Sequence, residues 1–167
     1  MKRRIIRKIL INILWIMGIV CIISLFIKNK TDEIFLKKSE EADKFHSYYN
    51  TLVKWMELIQ NNQKIADYFK KEDVIAIYGM GTIGEFISSE LLKNNRNVIC
   101  GIDKNIAGKN MKTGLKIYSI EDCQNIKIDY IIISIPYLAD EIVPMLNKDN
   151  SLRIVTIDEV IDTLLMR

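Results

Sequence analysis

The sequence predicts an α/β fold, a five-stranded parallel sheet in the order 3-2-1-4-5, preceded by an N-terminal transmembrane helix and an amphipathic helix. Three observations carry this. Val74-Ile75-Ala76-Ile77-Tyr78 is an apolar run that passes straight into Gly79-Met80-Gly81-Thr82-Ile83-Gly84, three glycines spaced G-x-G-x-x-G. Apolar runs then alternate with stretches of helical periodicity, the pattern of parallel strands and right-handed crossovers. Near the start, the nineteen residues from Ile9 to Ile27 carry no charge.

At 167 residues the chain has room for one domain of ordinary size and an extension. The expected division is a basic cap and anchor over 1–30, an amphipathic helical linker over 31–71, and the sheet domain over 72–167. Five Lys or Arg stand among the first eight residues, and the apolar run that follows is interrupted only by Asn12, Gly18 and Ser24. A helix of that length, at 1.5 Å per residue, just crosses a hydrocarbon core of about 30 Å. A cleaved signal peptide is the alternative, but its apolar region is shorter and ends in small residues, whereas this one ends Leu25-Phe26-Ile27-Lys28. Basic residues flank the run equally, five before it and Lys28, Lys30, Lys37, Lys38 and Lys44 after it. The dense N-terminal cluster favours an outward-facing domain. A supply of dinucleotide favours the opposite, a single-pass membrane protein with its folded domain in the cytoplasm, and this is the placement expected.

Residues 31–62 predict a helix, since Phe45, Tyr48, Tyr49, Leu52, Val53, Met56 and Ile59 recur at helical spacing on one stripe. That stripe is a packing face toward the sheet domain or another copy of the chain. His46 is expected to be solvated or to pack. Residues 63–71, with Ile65, Ala66, Tyr68 and Phe69, predict a short second helix leading to the first strand.

Residues 74–78 have the continuous hydrophobicity of a strand buried on both faces. Ile83, Phe86, Ile87, Leu91 and Leu92 then keep helical spacing until Asn94-Asn95. Residues 97–102 predict the second strand, and residues 105–114 a loop, being too polar and glycine-punctuated for a crossover helix. Residues 115–118 predict a short third strand, and Ser119 caps a small helix through Cys123. Residues 129–135 predict the fourth strand, stopped by Pro136. A helix over 137–147 follows, which Pro144 should kink or divide. The fifth strand covers 152–157, with Asp158 opening a closing helix through Leu165.

Each glycine of the turn has its own physical role. Gly79 allows the tight turn, Gly81 the approach of a pyrophosphate to bare backbone, and Gly84 close packing of helix on strand. The phosphate would rest on free amides of Thr82 and Ile83 at the helix start, where the macrodipole favours negative charge, with the Thr82 hydroxyl in reach. Asp103, nineteen residues after Gly84, ends the second strand, where a carboxylate accepts from a ribose diol. In a sheet of this order a ligand lies where strand order reverses, which brings Ser134, Ile135, Pro136 and Tyr137 to face the loop. The candidate binding set is therefore Gly79, Met80, Gly81, Thr82, Ile83, Gly84, Asp103, Lys104, Ser134 and Pro136. Glycine-rich turns of this kind also occur in doubly wound folds that bind nothing, and Asp103 could equally start a surface turn with Lys104-Asn105. A carboxylate repels a 2′-phosphate, which favours NAD over NADP; Lys104 and Lys109 oppose that.

The segment from Tyr48 to Asn95, with Trp55, Asp67-Tyr68-Phe69 and Ile75-Ala76-Ile77-Tyr78-Gly79-Met80-Gly81, resembles small Rossmann-like NAD(P)- or nucleotide-binding modules of bacterial cell-surface polysaccharide and glycosyltransferase gene clusters. Gly101-Ile102-Asp103-Lys104-Asn105, Gly108-Lys109 and Asp129-Tyr130-Ile131-Ile132-Ile133 are similar to the strand ends and loop of the same modules. The wider resemblance is to the Rossmann-like domains of sugar C-methyltransferases and nucleotide-sugar epimerases, and it spans residues 45–165. It implies a ligand such as NAD, a nucleotide-sugar or coenzyme A, and a glycosyltransferase or other glycan-assembly enzyme as partner. The chain departs from the epimerases in lacking their Tyr-x-x-x-Lys pair; Tyr137 and Lys148 are the nearest proton carriers. No catalytic residue is assigned; the alternatives are an NAD-dependent epimerase- or dehydratase-like oxidoreductase that completes its site by oligomerising through the helix at 31–62, and a ligand-free anchor and interaction protein.

The net charge of +3 arises mainly in the first eight residues, so no nucleic-acid partner is expected. Three cysteines without C-x-x-C spacing and a single histidine give no metal cluster. Buried, inert thiols are expected instead.

Overall fold

A computed structural model describes residues 2–105, 111, 113–123, 126–146 and 152–167, with side chains from residue 15 onward. The chain divides into two units, Met1–Asp43 and Lys44–Arg167. One helix, α1 (Lys2–Gln60), takes the place of the two expected. Nothing between residues 27 and 31 breaks it, because Lys28-Asn29-Lys30 contains neither glycine nor proline. It ends where Asn62 turns left-handed at φ 57°, a C-terminal conformation that asparagine tolerates.

In the first unit, large apolar side chains from Trp15 to Ile27 are exposed all around the helix. Among the described residues no helix is long and apolar enough to cross a membrane. Residues 15–27 reach only about 20 Å at 1.5 Å per residue, and the side chains of 9–14, the rest of the expected span, lie outside those described.

The second unit is built on β1 (Val74–Tyr78), β2 (Asn97–Ile102), β3 (Ile117–Tyr118), β4 (Tyr130–Ile133) and β5 (Arg153–Thr156). All pairings are parallel, in the order β3-β2-β1-β4-β5. Side-chain alternation divides the core between the two faces of the sheet. Ile75, Ile77 and Ile132 face α2 (Thr82–Lys93), α5 (Ile157–Leu165) and the C-terminal part of α1, while Ala76, Cys100, Ile131 and Ile133 face α4 (Ala139–Leu146). The short α3 (Ile120–Cys123) adds Cys123 to the latter side. Ser119 caps it as expected, its Oγ accepting from the Asp122 amide at 3.2 Å. The Cys100 thiol is held above its usual range by its neighbour Cys123 and by burial, and so stays protonated.

Several local expectations change. The helix expected over 63–71 is a single 3₁₀ turn, Ile65–Tyr68. A second such turn, Pro136–Leu138, precedes α4, so Pro136 begins a helical segment. α4 is not divided at Pro144; proline there removes the bond to the carbonyl of Asp140 and crowds it, and Asp140 is exposed to water. Thr156 rather than Asp158 caps α5, its Oγ1 accepting from the Glu159 amide at 3.1 Å. Residues 106–110, with Gly108 and Lys109, and residues 147–151, with Lys148, lie outside the described residues.

The largest difference concerns α1. Of the apolar stripe expected to pack, Phe45, Tyr49, Leu52, Val53, Met56 and Ile59 are exposed, and only Tyr48 is half-buried. The helix docks instead by Thr51, Trp55 and Leu58, with Tyr48 at the edge. This face buries polar atoms because each has a partner. Thr51 Oγ1 donates to Asp158 Oδ1 at 2.8 Å and Trp55 Nε1 to Glu90 Oε2 at 3.1 Å, while Lys54 pairs with Asp162 at 2.8 Å. Residues 44–71 thus supply Trp55, Leu58, Ile65, Ala66 and Phe69 to the core of the sheet unit.

Replacing Trp55 by alanine should therefore destabilise the sheet unit by about 3–5 kcal/mol, the range for truncating a buried aromatic. Thermal unfolding of the full chain followed by near-ultraviolet circular dichroism measures this; an unchanged transition would mean that the segment is a passive linker.

Candidate functional site

The turn from β1 to α2 holds its shape through the absence of two side chains. Gly79 adopts φ +87°, and a Cβ there would lie 2.5 Å from Ile135 Cγ1. A Cβ on Gly84 would overlap the carbonyl oxygen of Gly79, so α2 sits directly on the end of β1. Both positions require glycine to form the fold.

Gly81 is different. Its φ of −77° and ψ of −164° suit any residue, and an added Cβ would meet nothing within 4 Å. Neither backbone nor packing requires glycine here. The space left open belongs to a cavity of about 440 Å³, lined by Gly79, Gly81, Thr82, Ile83, Asp103, Ser134 and Ile135, with Tyr48 and Leu52 of α1 as its remaining wall. This volume falls in the range of small-molecule sites, roughly 300–1,000 Å³. The first-turn amides of a helix have no intrahelical acceptor, no side chain caps those of α2, and Thr82 and Ile83 of that turn line the cavity. Such amides suit an anion.

Asp103 stands at the end of β2 and is already bonded. Its Oδ2 accepts from the Met80 amide at 2.9 Å and its Oδ1 from the Asn105 amide at 2.8 Å. The carboxylate thereby ties the glycine turn to the second strand. Two oxygens offer about four acceptor positions, which leaves room for a diol.

The other expected residues divide clearly. Met80 contributes its backbone to the turn, but its side chain is buried against Gly101, where a Cβ would lie 2.5 Å from Met80 Cγ. Ser134 is buried and donates to the Gly79 carbonyl, so its hydroxyl braces the turn. Lys104 is exposed and Pro136 half-buried, and neither lines the cavity. Of the four residues expected to face the loop, Ser134 and Ile135 line the cavity, while Pro136 and Tyr137 do not.

Tyr48 and Leu52 were not legible as site residues, since they lie far upstream and belong to a stripe that reads as packing. Tyr48 packs edge-on against Tyr137, with ring centroids 5.5 Å apart, and Lys44 Nζ lies 5.5 Å from the Tyr137 centroid. Burial, followed by the neighbouring Tyr137, pushes the Tyr48 hydroxyl up to about 12. Burial and the Asp103 charge also raise Tyr78. At neutral pH both phenols are uncharged and can donate hydrogen bonds.

A parallel sheet in this order, with a three-glycine turn and an acid ending the second strand, defines a Rossmann-like α/β domain. Residues 71–159 match the family described as C2185-like, N-terminal, and the chain belongs to that family. No curated protein matches the chain significantly. Among solved structures it is similar to UDP-D-quinovosamine 4-dehydrogenase from Vibrio fischeri, at 18% identity over 55% of this chain and 84% of that one, with a TM-score of 0.41. A likeness so distant carries no argument about ligand or chemistry.

The glycines should separate by substitution. Gly84→Ala should lower stability by about 2 kcal/mol or more through a backbone clash, whereas Gly81→Ala should stay within about 1 kcal/mol of the parent. Urea unfolding of the two variants side by side checks this; equal losses would refute the distinction.

Proposed function

We propose that this chain is a membrane-tethered Rossmann-like module that binds a dinucleotide or nucleotide-sugar, in support of a glycosyltransferase or other enzyme of cell-surface glycan assembly. The observation that carries the binding role is Gly81, whose backbone angles and surroundings would admit a side chain, opening on a cavity of about 440 Å³. The pyrophosphate would lie on the first-turn amides of α2, with Gly79 and Gly81 allowing its approach and the Thr82 hydroxyl beside it. Asp103 would accept from a ribose diol through its remaining lone pairs, and its charge favours NAD over NADP as the dinucleotide. The glycan context rests on the resemblance of residues 45–165 to modules of polysaccharide gene clusters.

The tether rests on the uncharged run from Ile9 to Ile27 and on the apolar side chains exposed all around α1 from Trp15 to Ile27; a helix apolar on every side suits a lipid surrounding. The folded unit is placed in the cytoplasm, where dinucleotides are supplied.

Calorimetric titration of the full chain in detergent with NAD, NADH, NADP, UDP-sugars and coenzyme A tests the binding role. Micromolar affinity for one of them is expected. Gly81→Val should weaken it by tenfold or more, a loss of about 1.4 kcal/mol, while stability falls by no more than the roughly 1 kcal/mol of a less favourable N-cap. A folded protein that binds none of these, or a valine variant that binds as tightly as the parent, would overturn the proposal. Retention in the membrane fraction after an alkaline wash tests the tether separately.

A further inference from the structure

Along the exposed side of α1, Phe45, Tyr49, Leu52, Met56 and Ile59 follow one another at spacings of four, three, four and three residues. Alternating steps of four and three are the spacing of a helix seam, from which a straight helix drifts only about 40° over these two heptads. At 100° per residue the seam is centred about 100° around the helix from the docked face of Thr51, Trp55 and Leu58. It therefore looks sideways, past the sheet unit, toward α2. There Phe86 is exposed, and Leu52, Met56, Ile59 and Phe86 line a groove of about 350 Å³ between α1 and α2. Ser89, Glu90 and Lys93 form its polar border, the arrangement of an apolar centre within a polar rim that protein interfaces share.

We propose that this face is covered by a second copy of the chain, in a parallel two-fold pair in which α1 of each copy lies along α1 of the other and reaches into its α1–α2 groove. The proposal does not depend on any ligand. The five seam residues are 40–72% exposed and Phe86 57%. With large side chains presenting about 200 Å² each, the six offer roughly 600–700 Å². A standard stable interface buries about 800 Å² per partner, so the seam and Phe86 supply most of what a dimer needs. A second copy fits better than an unlike partner because a parallel seam is self-complementary, each residue meeting its own counterpart across the two-fold axis. Two heptads are short for a free coiled coil; α2 widens the contact to two helices from each copy.

The test uses the full chain in detergent with Cys21→Ser, since Cys21 is exposed while Cys100 and Cys123 are buried. Met56→Cys places a thiol on the seam, and Glu57→Cys places one on an exposed position turned about 100° from it. Mild oxidation should convert most of the Met56→Cys protein to a covalent dimer and little of the Glu57→Cys protein. Sedimentation equilibrium should give a dimer for the parent and a monomer for Met56→Glu/Ile59→Glu, whose circular dichroism should match the parent because both side chains are already exposed. A monomeric parent, equal cross-linking at the two positions, or a dimer that survives the double substitution would overturn the proposal. A parent that is monomeric yet binds lipid vesicles through this face would assign the seam to a membrane surface instead.

Discussion

Where β1 gives way to α2, the backbone of Gly84 lies against the carbonyl of Gly79, and this contact governs the rest of the sheet unit. The same carbonyl accepts the Ser134 hydroxyl from the end of β4. One residue on, the Met80 amide is held by Asp103 at the end of β2, and the Met80 side chain fills the space that Gly101 leaves empty. Three neighbouring strands are therefore fastened to one turn at their carboxyl ends. The cavity lies where these ties converge, with Gly79 and Gly81 in its lining.

α1 contributes on two sides. Inward, it docks through a face that combines apolar bulk with polar groups in pairs: Trp55 with Glu90, Thr51 with Asp158, Lys54 with Asp162. Thr51 and Trp55 would be costly to bury unpaired; paired, they fix the position of the helix along α2 and α5, with the half-exposed Lys54–Asp162 pair at the rim. That position brings Tyr48 and Leu52 to the cavity. Outward, the same helix leaves a row of large apolar side chains without a neighbour in its own copy.

The sheet was legible in the sequence because its strands are continuous apolar runs bounded by glycine, proline or polar residues, and because the G-x-G-x-x-G turn marks the strand on which the order reverses. Gly79, Gly81, Thr82, Ile83 and Asp103 are adjacent to those runs and lie where they were expected. The docked face of α1 was not legible. Periodicity weighs apolar residues, so it selected Phe45, Leu52 and Met56, whereas Thr51 is fully buried through a hydrogen bond to Asp158, 107 residues away. Pro136, where a 3₁₀ turn begins, lies outside the cavity lining, while Ile135 just before it is part of it. The bracing role of Ser134 depends on the turn of Gly79, 55 residues earlier. Local pattern defines elements; these contacts depend on how distant elements meet.

The bonds from Asp103 to Met80 and Asn105 bear on how an incoming molecule is received. The turn is held in shape before anything occupies the cavity, so the conformational entropy of ordering it is lost during folding and not at the moment of association. The shape of the turn is thus a property of the fold, set by the same contacts that join its strands.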